Sequence, residues 1–168
     1  MSLAALVIAV VVSQREPRLQ VGVQGGYVQH LPPEPIDPGF SAGPEPKPRS
    51  GFELGVDGRY RFFGPLSAGV FVTHGFISRG EVIRAGGLIG IDSLVGPVRL
   101  SADLGVGYRR DTGAGNGLVG QVDLAALWAV DHKLGIGAYG SAVITNDFGS
   151  HSLYAWFSGG FRGTANFL

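Results

Sequence analysis

The chain has 168 residues, with 13 Lys and Arg against 13 Asp and Glu, 29 Gly and no Cys. Balanced charge excludes the basic surface with which a general nucleic-acid binder neutralises phosphates, and the missing thiols exclude disulfides, thiolate metal sites and cysteine nucleophiles. Charged residues make up 15% against a usual ~25%, and 45% are apolar, so the chain is too hydrophobic for disorder and short of the charge that a water-facing surface carries.

Leu3 to Val12 (LAALVIAVVV) is an uninterrupted apolar run. It is about half the ~20 residues a helix needs to span a bilayer. Its length suits the core of a signal peptide, with Val11-Val12-Ser13 leading to a cleavage, although Met1 and Ser2 supply no basic start. The alternative is a buried first strand or helix. Residues 1–18 are read as a signal peptide or N-terminal lead-in, and 19–168 as one domain. No later stretch reaches 18 apolar residues, so no transmembrane helix is expected.

From residue 19 onward the period is two. In 19–28, Leu19, Val21, Val23 and Tyr27 oppose Gln20, Gly22, Gln24 and Gly26. In 52–62, Phe52, Leu54, Val56, Tyr60 and Phe62 oppose Glu53, Gly55, Asp57, Arg59 and Arg61. In 98–109, Val98, Leu100, Ala102, Leu104, Val106 and Tyr108 oppose Arg99, Ser101, Asp103, Gly105, Gly107 and Arg109. This is strand periodicity. Less regular strands are expected at 67–77, 82–93, 118–130, 134–145 and 152–162, which makes eight. Lys, Arg, Asp and Glu are absent from all the apolar faces, and His74 is the one titratable intruder. Soluble strands usually run 5–6 residues. Strands twice that long, apolar along one whole side, suit a membrane-spanning barrel, which takes about 9–11 tilted residues per crossing.

The connections alternate as well. Phe63-Gly64-Pro65, Val95-Gly96-Pro97 and Asp131-His132-Lys133 are tight turns, whereas 30–50, with seven of the ten prolines, 110–117 and about 146–151 are longer. Only the connection around Ser78 to Glu81 departs from this order. Short turns at one rim and longer loops at the other is the layout of an outer-membrane barrel. With this alternation, strand count and turn order, residues 19–167 resemble the eight-stranded outer-membrane β-barrels of the OmpA/OmpX-like class. The resemblance implies an all-β, antiparallel up-and-down transmembrane barrel in a Gram-negative outer membrane. It also implies a C-terminal strand read by the barrel assembly machinery. Phe157, Phe161 and Phe167 share one parity there, although Leu168 rather than an aromatic is last.

On the inward face lie Glu53, Asp57, Asp92, Asp103 and Asp123, with Arg59, Arg61, Arg84, Arg99, Arg109 and Arg162. An eight-stranded barrel is only wide enough inside for side chains. Charges there must pair, and the planar fork of Arg suits carboxylates. The expectation is a filled, ion-paired lumen. The alternative is a narrow gated pore, since inward glycines (Gly22, Gly55, Gly86, Gly90, Gly105, Gly107, Gly135, Gly137) would leave room for water. Tyr27, Tyr60, Phe62, Phe76, Tyr108, Trp128 and Phe161 are expected as an aromatic girdle where the apolar face meets the membrane interfaces. In a soluble exported barrel, the remaining alternative, these rings would instead point inward.

His30, His74 and His151 map to the long-loop rim, with Asp147 and Ser152 beside His151. A lipid-modifying active site, acylase- or deacylase-like, would use Ser, His and an acid there. However, adjacent strand residues such as His151 and Ser152 point to opposite faces, and nothing fixes a metal-binding spacing among the three histidines. Gly113-Ala114-Gly115-Asn116-Gly117 reads as a flexible loop, because a phosphate-binding loop would need a helix after it. The leading expectation is a non-enzymatic surface protein without cofactor or metal. Its partners are outer-membrane lipid and a surface ligand through loop 30–50, with no nucleic acid. Arg at outward Leu104 should harm assembly far more than Arg at Ser101 or Lys at Gln121.

Overall fold

Alternation puts the two kinds of side chain on opposite faces of an extended chain. In the computed structural model every one of the eight expected segments is a strand. The structure describes residues 19–31, 34–35, 49–78, 80–112, 115–131, 133–146 and 152–167. The segment read as a leader, most of loop 30–50, Asp147, His151 and Leu168 lie outside the described residues. The strands are β1 (Leu19–His30), β2 (Arg49–Phe63), β3 (Leu66–Ile77), β4 (Gly80–Val95), β5 (Val98–Asp111), β6 (Gly115–Ala129), β7 (Leu134–Asn146) and β8 (Ser152–Phe167). They run 12 to 16 residues. Several are longer than the alternation suggests. Thus β2 begins at Arg49 rather than 52, β5 continues to Asp111, and β8 reaches Phe167 rather than 162.

Each strand pairs antiparallel with the next, and β1 also pairs with β8 from Leu19↔Phe167 to His30↔Trp156. The sheet therefore closes on itself, which removes the unpaired edges that an open sheet leaves for other chains. A two-residue ladder, Glu34–Pro35, adds to the upper end of β8. The Leu31 N–H donates to the Ala155 carbonyl at 2.8 Å, so the first long connection leaves the barrel along β8.

The polar side chains are inside and the apolar ones outside. Leu54, Val56, Val72, Ile89, Leu104, Val122, Leu124 and Ile136 are exposed, while Asp57, Arg59, Arg84, Asp103, Arg109 and Arg162 are buried. A soluble barrel would show the reverse.

The turns at one rim follow from glycine. Gly64 and Gly96 take φ of 51° and 62°, a left-handed conformation that costs glycine little. At the third turn the Asp131 carboxylate accepts from the N–H groups of Lys133 and Leu134 at 2.6 and 2.7 Å.

The inward glycines leave less room than their count suggests. Gly86 faces Gly107 across β4 and β5, and a Cβ at either would overlap the backbone of the other strand. A Cβ at Gly90 would overlap the Asp103 carboxylate, and one at Gly22 would meet the Asp57 carboxylate 2.6 Å away. The missing side chains let the wall curve and make space for buried acids, rather than for water.

Candidate functional site

Side chains from six of the eight strands converge on the lumen in three charged layers. Nearest the tight turns, Arg99 donates to the Asn166 side-chain oxygen at 2.7 Å, and Gln20 donates to the same atom at 2.9 Å. Arg61 donates to Asp92 at 3.2 Å. In the middle, Arg59 bridges Asp57 at 2.7 Å and Asp103 at 2.5 Å, and Arg162 reaches the other oxygen of Asp57 at 2.5 Å. Beside this group Arg84 pairs with Glu53 and also donates to Gln121 at 2.9 Å, whose amide donates to Asp123 at 2.7 Å. Most of these buried charges meet the opposite charge that desolvation demands, whereas Arg99 and Asp123 are met by the neutral amides of Asn166 and Gln121. The β2 alternation alone places Glu53, Asp57, Arg59 and Arg61 on one face, and the register brings β4, β5, β6 and β8 to meet them.

The third charged group lies at the long-loop mouth and was not legible as a site. Arg49 donates to both oxygens of Asp111 at 3.0 and 3.3 Å, with Arg109 4.0 Å from the same carboxylate. In the sequence Arg49 falls within the long connection 30–50. Extending the alternation three residues back in β2 and two residues on in β5 turns both residues inward. Among the described residues the lumen then holds seven guanidiniums, the six expected plus Arg49, and six carboxylates, the five expected plus Asp111.

Between the mouth and the middle layer lies an apolar layer that alternation concealed. Val28, Ile77, Val82, Val119, Val143 and Trp156 are buried together inside the barrel. Each sits on the polar parity of its strand near the long-loop end. The His30 ring stacks on Trp156 with centroids 4.4 Å apart, and the guanidiniums of Arg84 and Arg109 lie 5.4 and 6.0 Å from the Trp156 ring. Cations over aromatic faces join the apolar layer to both charged layers. Lower down, Gln24, Asp57, Arg59, Phe71, Gln121, Asp123 and Arg162 enclose a space of about 10 Å³, close to the minimum for one water molecule.

On the outer face Tyr27, Tyr60, Phe62, Phe76, Tyr108 and Trp128 are exposed near strand ends. Phe161 is also outward but differs from the expected girdle position. It lies six residues from the end of β8, opposite Gly25 and Ala138. The rim histidines separate. His30 points into the lumen, whereas His74 is on the outer face, 3.3 Å from Glu81 and tilted against Phe76. Among the described residues, no group of three His, Asp or Glu is arranged to hold a metal. Ser152 opens β8, but its side chain, His151 and Asp147 lie outside what is described.

No family model matches the chain, and no curated protein matches it by sequence. Solved structures do match. Neisserial surface protein A superposes with a TM-score of 0.63 at 14% identity, over 89% of this chain and 97% of that one. The outer membrane protein OprG of Pseudomonas aeruginosa superposes at 0.53 with 10% identity, over 90% of this chain and 98% of that one. The chain has the fold of the eight-stranded outer-membrane barrels. Its strand number, closure and apolar exterior are those of this fold, reached at low sequence identity.

Proposed function

We propose that the chain is a non-enzymatic protein of the bacterial outer membrane. On this reading the barrel is a sealed, rigid frame that holds its long connections at the cell surface. The observation that carries it is the pairing of an apolar exterior with a lumen in which ion-pair layers flank a buried apolar layer. Only a hydrocarbon surround stabilises that exterior, because an exposed apolar surface of this extent is not tolerated in water. Loops on a rigid frame are where recognition sits, so residues 31–48, 112–114 and 147–151 are the segments that would meet a ligand. The terminal strand, with Phe157 and Phe167 outward, is the part we assign to the assembly machinery.

Two experiments test this reading. The mature chain should extract only with detergent, migrate fast on gels when unheated and shift on boiling. A variant lacking Ile36–Gly43, which spares the Glu34–Pro35 ladder, should show the same shift. Closing a shorter loop carries little entropic difference, about 0.6 kcal/mol per halving of length. Recovery as a soluble monomer without detergent would refute the membrane placement.

In planar bilayers the intact protein should give no stepwise conductance, while Trp156→Ser combined with Val143→Ser should give intermittent openings. Replacing two members of the apolar layer by hydroxyl-bearing side chains lets water bridge the charged layers on either side. Steady conductance from the unmodified chain would overturn the sealed-frame reading and favour a pore.

A further inference from the structure

The outer face carries a feature that a lipid-facing wall does not require. Near the long-loop rim, Val106, Tyr108, Leu118, Gly120, Ile144 and Leu153 line a shallow, open groove of about 730 Å³. Gly120 makes the depression. It faces outward in β6 between Leu118 and Val122, and a Cβ there would find nothing nearer than the Ile144 carbonyl at 4.0 Å.

Beyond the groove, toward the long-loop rim, the outer face turns polar. Arg110 follows Tyr108 on the outer face of β5, about 7 Å further along the strand, and is exposed directly opposite Asn116 of β6. Among the described residues Arg110 has no ion-pair or hydrogen-bond partner, in contrast to the paired arginines of the lumen. Asn146 borders the groove from β7. Its side-chain oxygen accepts from the Leu118 N–H at 3.0 Å, which leaves its amide N–H groups as donors. Among the described residues, Glu81, the acid diagonal to Arg110 on this face, is engaged by His74 at 3.3 Å.

We infer that this groove binds a phosphorylated, acylated glycolipid of the outer leaflet, with a phosphate on Arg110, Asn116 and Asn146 and an acyl chain over Gly120. The inference rests on the proposed placement of the long-loop rim at the outer leaflet. The chemistry is that of an anion held by one unpaired guanidinium and neutral amide donors, above a surface that only hydrocarbon fills.

The test uses the full-length protein folded in detergent, with lipid retention measured by native mass spectrometry. The probes are hexa-acylated bisphosphorylated lipid A, its dephosphorylated form and phosphatidylglycerol. The unmodified chain should hold the bisphosphorylated form about tenfold more tightly than the dephosphorylated one, as the loss of one charge-assisted contact implies. Arg110→Gln should abolish that preference, and Gly120→Leu should weaken retention of both glycolipids, each with the heat shift on gels intact. The inference is overturned if Arg110→Gln keeps the preference, if Gly120→Leu binds as the unmodified chain does, or if phosphatidylglycerol is held as tightly as lipid A. Loss of the heat shift in the unmodified chain would instead count against the membrane barrel itself.

Discussion

Leu104→Arg should abolish the heat-modifiable form, while Val95→Arg leaves most of it intact. Leu104 is 60% exposed on the outer face of β5, with Ile89 and Val122 opposite it on the two neighbouring strands. It lies six residues from Val98 and seven from Asp111, so it sits at mid-depth. A guanidinium there costs about 2–4 kcal/mol at the bilayer midplane, falling to about 0–1 near an interface. Val95, also outward, ends β4 at the tight-turn rim, where Arg reaches the headgroups. At 1.4 kcal/mol per decade, the two variants should differ by one to three decades in folded-to-unfolded ratio when refolded into vesicles. Equal effects at the two depths would place this face in water.

The lumen controls suggested by the sequence do not survive the geometry. Ser101 is buried in a filled interior, so Arg at that position would overpack it. Lys at 121 would set an ammonium where the Gln121 carbonyl oxygen now accepts from Arg84 at 2.9 Å. Both substitutions should therefore be costly for reasons unrelated to which face they occupy. Thr73→Ser, which removes one methyl from a buried inward side chain, is the appropriate control.

The fold was legible because a barrel of this kind repeats one simple rule along every strand. Leu100 to Tyr108 alternate without a break, and the outer face has no charge in mid-strand for a membrane to reject. The lumen acids and bases could be placed by parity alone, since a strand has only two faces. Their partners could not, because pairing depends on register between strands far apart in sequence. Asp57 meets Arg162 across 105 positions. The apolar layer was hidden for a different reason. Val28, Val119 and Val143 sit on the polar parity, so they read as lapses in alternation rather than as members of one inward cluster. The mouth pair Arg49–Asp111 was missed because both residues lie just past the point where the apolar pattern weakens. The glycines misled most. Composition counts them as empty space, whereas Gly22 and Gly90 are small because the carboxylates of Asp57 and Asp103 occupy their surroundings.

That last point leads to the largest expected effect inside the barrel. Arg59, Arg162, Asp57 and Asp103 form a buried group of two cations and two anions, with Arg59 central. Arg59→Met removes the partner of Asp103 and leaves only Arg162 to serve Asp57. An uncompensated buried charge of this kind typically costs about 3–5 kcal/mol. Urea unfolding from vesicles would register the loss through tryptophan fluorescence, since Trp128 faces out and Trp156 is enclosed. Adding Asp103→Asn should restore most of the stability. The amide keeps the shape that fits beside Gly90, and one cation and one anion then remain, Arg162 and Asp57. The cycle is thus strongly non-additive, as expected for residues sharing one ion-pair network. Gly90→Ala should lower stability in the parent, because the new Cβ overlaps the Asp103 carboxylate, and no change of charge elsewhere in the group should rescue it. Simple additivity of Arg59→Met and Asp103→Asn would mean that the two side chains do not share a pair in the membrane-embedded barrel, and that the lumen is hydrated enough to screen them.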